Sequence, residues 1–187
     1  NSRISTTWKT KGKFDSQGSF RTWVEISKNA VSKNIATFRK LIGSETKLWA
    51  VVKSNAYGHG LVQFSKLAEK NKIDGFCVDS FIEAVRLRKE GIKKSILVLG
   101  PTLAELAKDA ASKDITLSVS NFEILKHLSE TKNPPKFHIK IDTGMSRQGF
   151  FLEDIPKVIQ VISHKSSVLG QRLEGAFTHF ASAKDTN

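Results

Sequence analysis

Lys53 closes an apolar run, Leu48-Trp49-Ala50-Val51-Val52, and a polar turn comes next with Tyr57 set between Asn55 and two glycines, Gly58 and Gly60. A valine-rich run of this length reads as a buried strand. A lysine at its end puts an amine at the carboxyl end of a sheet, where α/β folds place their chemistry. A desolvated amine there gives up its proton readily and can act as a nucleophile or form a Schiff base. A strand-end lysine that simply reaches water, its stem lying on apolar surface, is the ordinary alternative. Asp79, Asp142, Arg147 and His179 also come after strand-like runs, so the reactive side chains gather at strand ends.

The elements that must position them alternate. Residues 22–26 read as a short strand, and Ser27 as the N-cap of a helix over 28–41 that Gly43 ends. Strands then read over 48–53, 75–79, 95–100, 116–119, 136–141 and 173–179. Helices read over 61–71, 81–90, 103–112, 122–129 and 155–163, with Ser120 or Asn121 capping the fourth. Strand ends fall mostly about twenty to twenty-five residues apart, the size of a βα unit in a parallel sheet. A doubly wound sheet and an eight-stranded barrel both fit. The glycine fingerprint of a dinucleotide fold is missing, because Gly58 and Gly60 are too few and wrongly spaced.

Composition bounds the function. The chain has 187 residues, 39% hydrophobic and 26% charged, which is ordinary for a globular domain of one sizeable core. No apolar run is long enough to span a membrane, and the start, Asn1-Ser2-Arg3, does not read as an intact signal peptide. The single cysteine, Cys77, excludes an intramolecular disulfide and a cysteine-rich zinc site, and reads as a buried inert thiol. His59, His127, His138 and His164 have no metal spacing and read as structural or solvated; no metal is expected. The net charge of +12 comes from scattered lysines, without the basic stripe and interleaved aromatics of a nucleic-acid surface. Residues 1–21 read as a flexible basic arm and 22–187 as the folded unit.

The string Val-Val-Lys53-Ser-Asn-Ala-Tyr57-Gly-His-Gly closely resembles the pyridoxal-phosphate lysine motif of alanine racemases. Two further stretches resemble the same family. His138-Ile-Lys140-Ile-Asp142-Thr-Gly-Met-Ser-Arg147-Gln-Gly is similar to its fifth-strand motif, and Thr178-His179-Phe-Ala to its sixth-strand end. The resemblance covers roughly 22–187. It implies a (β/α)8 TIM-type barrel, present here as an N-terminal portion of about six βα units, with the family's C-terminal β-domain outside this chain. It implies pyridoxal 5'-phosphate as cofactor and alanine as substrate. It makes Lys53 the cofactor-bearing residue and one catalytic base, and Tyr57 a contact to the cofactor phosphate. Arg147 would contact the cofactor's phenolic oxygen and the substrate carboxylate, and His179 would lie near the pyridine ring. Lys140 aligns with a lysine that is carbamylated in some members. Asp142 reads as bracing its turn.

The expected activity is interconversion of L- and D-alanine by two-base proton transfer, feeding peptidoglycan, in a cytoplasmic homodimer with no membrane or nucleic-acid partner. The second base, a tyrosine, and the pyridine-nitrogen partner are expected outside these residues, so the 187 residues alone are expected to be inactive. A six-unit barrel would leave two raw sheet edges, which natural proteins avoid; a longer parent is therefore expected. Its absent second domain would pair with strand 22–26. The runner-up is a broad-specificity amino-acid racemase of the same fold, for which a periplasmic location is also open. More distant are a decarboxylase of the ornithine or diaminopimelate type and a non-catalytic cofactor carrier. The Tyr-Gly-His-Gly continuation speaks against both.

Overall fold

The computed structural model describes residues 3–5, 24–163 and 168–184. Two short strands, β1 (Arg3–Ser5) and β2 (Glu25–Ser27), pair antiparallel. Helix α1 (Lys28–Ile42) comes next, its first turn capped by the Ser27 hydroxyl, which accepts the Ala30 N–H at 3.3 Å. After it come β3 (Trp49–Val51), α2 (Leu61–Lys70), β4 (Gly75–Val78), α3 (Phe81–Lys89), β5 (Ser95–Val98), α4 (Ala107–Ser112), β6 (Thr116–Val119), α5 (Phe122–Glu130), β7 (Phe137–Lys140), α6 (Ile155–Ile162) and β8 (Leu173–Phe177).

The six strands β3 to β8 form one sheet in sequence order, every neighbouring pair parallel. A doubly wound sheet reverses its order at a switch point. This one never does, so the architecture is the barrel type. The sheet is also curled. The Trp49 ring on β3 lies 6.4 Å from the His138 ring on β7, four strands away, which a flat sheet could not allow. The fold is a parallel half-barrel, as the sequence implied.

Register separates the two faces. Phe76, Val78, Ile96, Val98, Leu117, Val119, Phe137 and Ile139 point outward, are at most 4% exposed, and pack under the helices. Each such burial contributes about 1.5–3 kcal/mol. Trp49, Cys77, Leu97, Ser118, His138, Lys140 and Phe177 share the inner face. Polar groups there find partners: the Ser118 hydroxyl donates to Val98 O at 2.6 Å, and Thr116 bonds Glu174 at 3.0 Å. Cys77 is the expected buried thiol, its pKa pushed up to about 12 by burial. Gly75 carries the Trp49 ring, and a Cβ there would fall 2.6 Å from it.

Two expectations are corrected. The strand read over 22–26 is Glu25–Ser27, with residues 22 and 23 outside the described part. Within this chain it pairs with Arg3–Ser5, from the segment read as a flexible arm. The pairing joins two largely polar stretches far apart in sequence and leaves no periodic trace. The rest of that segment lies outside the described residues, as does His164.

Candidate active site

The carboxyl ends of the strands carry the site. Lys53 lies two residues past β3, beyond the fully buried Val52. Its side chain is 32% exposed, and its Nζ stands 3.5 Å from Asp79 Oδ1, just beyond β4. Immediately after Lys53 the chain makes one turn with the wrong hand. Ser54, Asn55, Ala56 and Tyr57 have φ of 52°, 56°, 53° and 52°, in the left-handed region that L-residues other than glycine avoid. The turn is tied at several points: Ala56 N–H donates to Val52 O at 2.8 Å, Gly60 N–H to Asn55 O at 2.9 Å, and Leu61 N–H to Asn55 Oδ1 at 2.9 Å. His59 Nδ1 sits 2.8 Å from Ala56 O. Tyr57 ends the turn with 61% exposure.

The opposite wall carries Lys140, Asp142 and Arg147. Lys140 ends β7 and is buried, its Nζ 5.2 Å from the centroid of the Phe177 ring. Burial pushes its ammonium below the usual lysine value, the Arg147 guanidinium adds to that push, and Asp142 opposes it. The loop beyond closes on itself. Ile141 and Phe150 form a bridge, Phe150 N–H donates to Lys140 O at 2.9 Å, and Asp142 N–H donates to Phe150 O at 2.9 Å. The Asp142 carboxylate accepts the N–H groups of Gly144 (2.9 Å), Ser146 (3.0 Å) and Arg147 (3.0 Å). These amides, Gly144 first, hold its carboxyl below the usual aspartate value. The bracing role expected of Asp142 is what this geometry delivers, and the exposed Arg147 side chain rises from a clamped backbone.

His179 lies exposed two residues past β8. Its neighbour Thr178 bonds Thr143 across the two loops at 2.7 Å, which sets His179 beside the Arg147 loop. Trp49 and His138 touch across the lumen. Lys53, four residues beyond Trp49, and Lys140, two beyond His138, therefore sit at the same end on facing walls. The structure thus gathers Lys140, Asp142, Arg147 and His179 on one wall, with Lys53, Tyr57 and Asp79 on the other.

Other histidines take structural settings. His138 lies between Trp49 and Phe177, 4.0 Å from Glu174, and burial depresses its pKa. His127 is exposed. Among the described residues no group of three or more His, Cys, Asp or Glu could hold a metal. Sequence reasoning passed over two supports, Glu83 and Asn55. Glu83 closes a capping box with Ser80 and also accepts Asn55 N–H at 3.4 Å. The Ser-x-x-Glu pattern at 80–83 is the signal that could have found it.

The donor set suits an anionic, carbonyl-bearing ligand: one amine for covalent attachment, and cations on the facing wall for phosphate or carboxylate groups. The family described as alanine racemase, N-terminal domain, matches residues 26–187. The alanine racemase of Listeria monocytogenes is 39% identical over 163 residues, which is 87% of this chain and 44% of that protein. The alanine racemase of Streptococcus pyogenes is 39% identical over 170 residues, 89% of this chain and 45% of its own length. The chain thus spans less than half the length of these curated relatives. Among solved structures, alanine racemase from E. faecalis superposes with a TM-score of 0.76 at 34% identity, over 87% of this chain and 44% of that one. A histidine racemase from Leuconostoc mesenteroides gives 0.74 at 32%, over 86% and 43%. With a family match over nearly all of its length and a half-barrel of the same shape, the chain belongs to the alanine racemase N-terminal domain family.

Proposed function

We propose that these residues form the cofactor-binding half of a pyridoxal-phosphate-dependent alanine racemase. What carries the reading is the partly exposed Lys53 amine at the mouth of a curled parallel sheet, opposite a wall bearing Lys140 and Arg147. Lys53 holds the cofactor through its Nζ, Tyr57 donates its hydroxyl to the phosphate, and His179 lies near the ring. Bound there, the cofactor supplies an electron sink that acidifies the α-hydrogen of an attached amino acid. The Lys53 amine would take or return that proton on one face. Arg147 grips the substrate carboxylate with its planar fork of donors. Lys140, whose ammonium burial holds below the usual lysine value, is the residue for carbamylation, and the carbamate would then face Arg147. The second base and the partner of the pyridine nitrogen come from outside these residues, in a homodimer. The product D-alanine would feed peptidoglycan in the cytoplasm. Among the described residues no helix is long and apolar enough to cross a membrane.

The likeness to a histidine racemase supports a second reading, an amino-acid racemase of wider specificity, because this half matches both kinds comparably. Assays of the full-length protein with alanine, serine, histidine, lysine and arginine separate the two. The attachment test is borohydride treatment of the full-length holoenzyme, which should fix cofactor mass on the peptide containing Lys53. A reduced adduct elsewhere, with Lys53 unmodified, would end the assignment.

A further inference from the structure

The left-handed run after Lys53 needs an explanation. Four consecutive residues, none of them glycine, occupy a backbone region that is unfavourable for each. Such a run persists only when its surroundings over-determine it. Three of the bonds that tie it pass through Asn55. Its N–H donates to Glu83 at 3.4 Å, its C=O accepts Gly60 N–H at 2.9 Å, and its side-chain oxygen accepts Leu61 N–H at 2.9 Å. The last bond is unusual. Helix α2 begins at Leu61 with Gly60 at the capping position, and Gly60 has no side chain to cap it. The orphan amide is satisfied instead from six residues upstream. Asparagine is also the residue of the four that best tolerates this backbone region. Ser54, Ala56 and Tyr57 have no such preference and are carried along.

From this we infer that Asn55 is the positioning residue that sets Tyr57 relative to Lys53. Its side chain bolts the turn to the first amide of α2, a helix whose Leu61, Val62, Ser65, Leu67 and Ala68 are buried. The packed helix thereby fixes the handedness of the turn. Because Lys53 opens the turn and Tyr57 ends it, handedness decides the direction in which the phenol leaves the backbone. With the other hand, the phenol would be swung away from its present place at the mouth. The inference rests on the proposed function only for what Lys53 and Tyr57 hold between them.

The test uses the full-length protein with three variants. Asn55→Gly tolerates the left-handed backbone and removes the side chain, and with it the oxygen that accepts the Leu61 amide. Asn55→Asp keeps an oxygen for the Leu61 amide, and Asn55→Ala removes the oxygen and adds backbone strain. Pyridoxal phosphate should bind Asn55→Gly about tenfold more weakly, the scale of one lost hydrogen bond that leaves an amide unpaired. Asn55→Ala should bind at least as weakly, and Asn55→Asp close to wild type. Hydrogen exchange at the Leu61 amide should quicken in Asn55→Gly and not in Asn55→Asp. Tyr57→Phe should weaken cofactor binding less in the Asn55→Gly background than in wild type, because the phenol is already misplaced. A purely structural role would instead make the two losses additive. Wild-type affinity in Asn55→Gly, an additive cycle, or unchanged Leu61 exchange would each overturn the inference. If the wild-type protein itself takes up no cofactor, the proposed function fails. The exchange comparison then decides the role of Asn55 in the turn by itself.

Discussion

The turn after Lys53 and the loop after Lys140 bring polar side chains, Tyr57 and Arg147, to one mouth by opposite means. The first is held mainly by neutral groups: Val52 O, Asn55 O and the Asn55 amide oxygen receive its amides, and the Glu83 carboxylate adds one longer bond at 3.4 Å. It places four non-glycine residues in the left-handed region. The second spends its unusual backbone mostly on glycine, with Gly144 at φ 128° and Gly149 at φ 137°, and draws its amides onto one carboxylate, Asp142. One segment stores backbone strain against a packed helix, and the other stores charge against oriented amides. The turn is therefore expected to respond to side-chain loss and the loop to acid and to added bulk.

The largest contrast lies in catalysis. In the full-length protein, Lys53→Ala should lower kcat by at least about 10²–10⁴-fold, the ordinary share of acid–base help. Arg147→Lys should lower kcat/KM by about 10–100-fold, the scale of one charge-assisted hydrogen bond, with KM raised because the planar fork is gone. Steady-state kinetics on both variants decide this. A normal KM in Arg147→Lys would remove the loop from substrate binding and leave the turn alone at the site.

Stability should separate the segments next. A Cβ on Gly149 would lie 2.6 Å from Asp142 N and 2.9 Å from Ile141 C, both backbone atoms that cannot yield without breaking the bridge to Phe150. A Cβ on Gly58, at φ 89°, meets nothing within 4 Å. Gly149→Ala should therefore destabilise by about 3 kcal/mol, strain and overpacking together. Gly58→Ala should lose only about 1 kcal/mol, from backbone conformation alone. Chemical denaturation of the two variants measures the difference, and equal losses would show that the loop is not the tighter packed of the two.

These differences mark where sequence reading succeeds and where it stops. The apolar run at 75–78 and the Thr-Leu-Ser-Val stretch at 116–119 became strands buried along their whole length, because a parallel sheet under helices has no solvent face. Ser27 capped α1 as its type suggested, and Asn121 rather than Ser120 capped α5. Asp142 braced its turn as expected. Periodicity could not choose between the two architectures for an alternating chain, since strand order is a long-range property. The handedness of the Lys53 turn was equally hidden: only Asn55 has any preference for it, and its partner in α2 is a backbone amide that no side-chain type reveals. The pairing of Arg3–Ser5 with Glu25–Ser27 had no signal either.

Acid should act on the loop more than on the turn, whose one bond to a carboxylate is long. The amides of Gly144, Ser146 and Arg147 lower the Asp142 pKa below its ordinary 3.8. A carboxylate with a depressed folded-state pKa contributes stability above its ordinary value and loses it as pH falls through the folded value. Wild type should thus lose the Asp142 contribution only below about pH 4, whereas Asp142→Asn lacks that dependence. Thermal melts of both proteins from neutral pH downward should converge at the acid end. Parallel curves throughout would mean that the carboxylate charge does not hold the loop.

The smallest effect concerns Glu83, a charged group that reaches the turn from α3. It accepts Asp79 N–H at 3.0 Å, Ser80 N–H at 3.4 Å and Asn55 N–H at 3.4 Å. Two of these bonds belong to the cap of α3, and the third, a long one, touches the turn. If the turn is held mainly by Asn55 and the neutral carbonyls, Glu83→Ala should destabilise the protein by about 1 kcal/mol, the usual effect of losing a cap. It should leave cofactor affinity within about twofold, because the turn keeps its stronger ties. Glu83→Gln, which retains an acceptor oxygen, should recover much of the stability. Denaturation and cofactor titration on the same variants test the two halves together. A large loss of cofactor affinity in Glu83→Ala would make the turn charge-held after all, and the contrast with the Asp142 loop would collapse into a single device used twice.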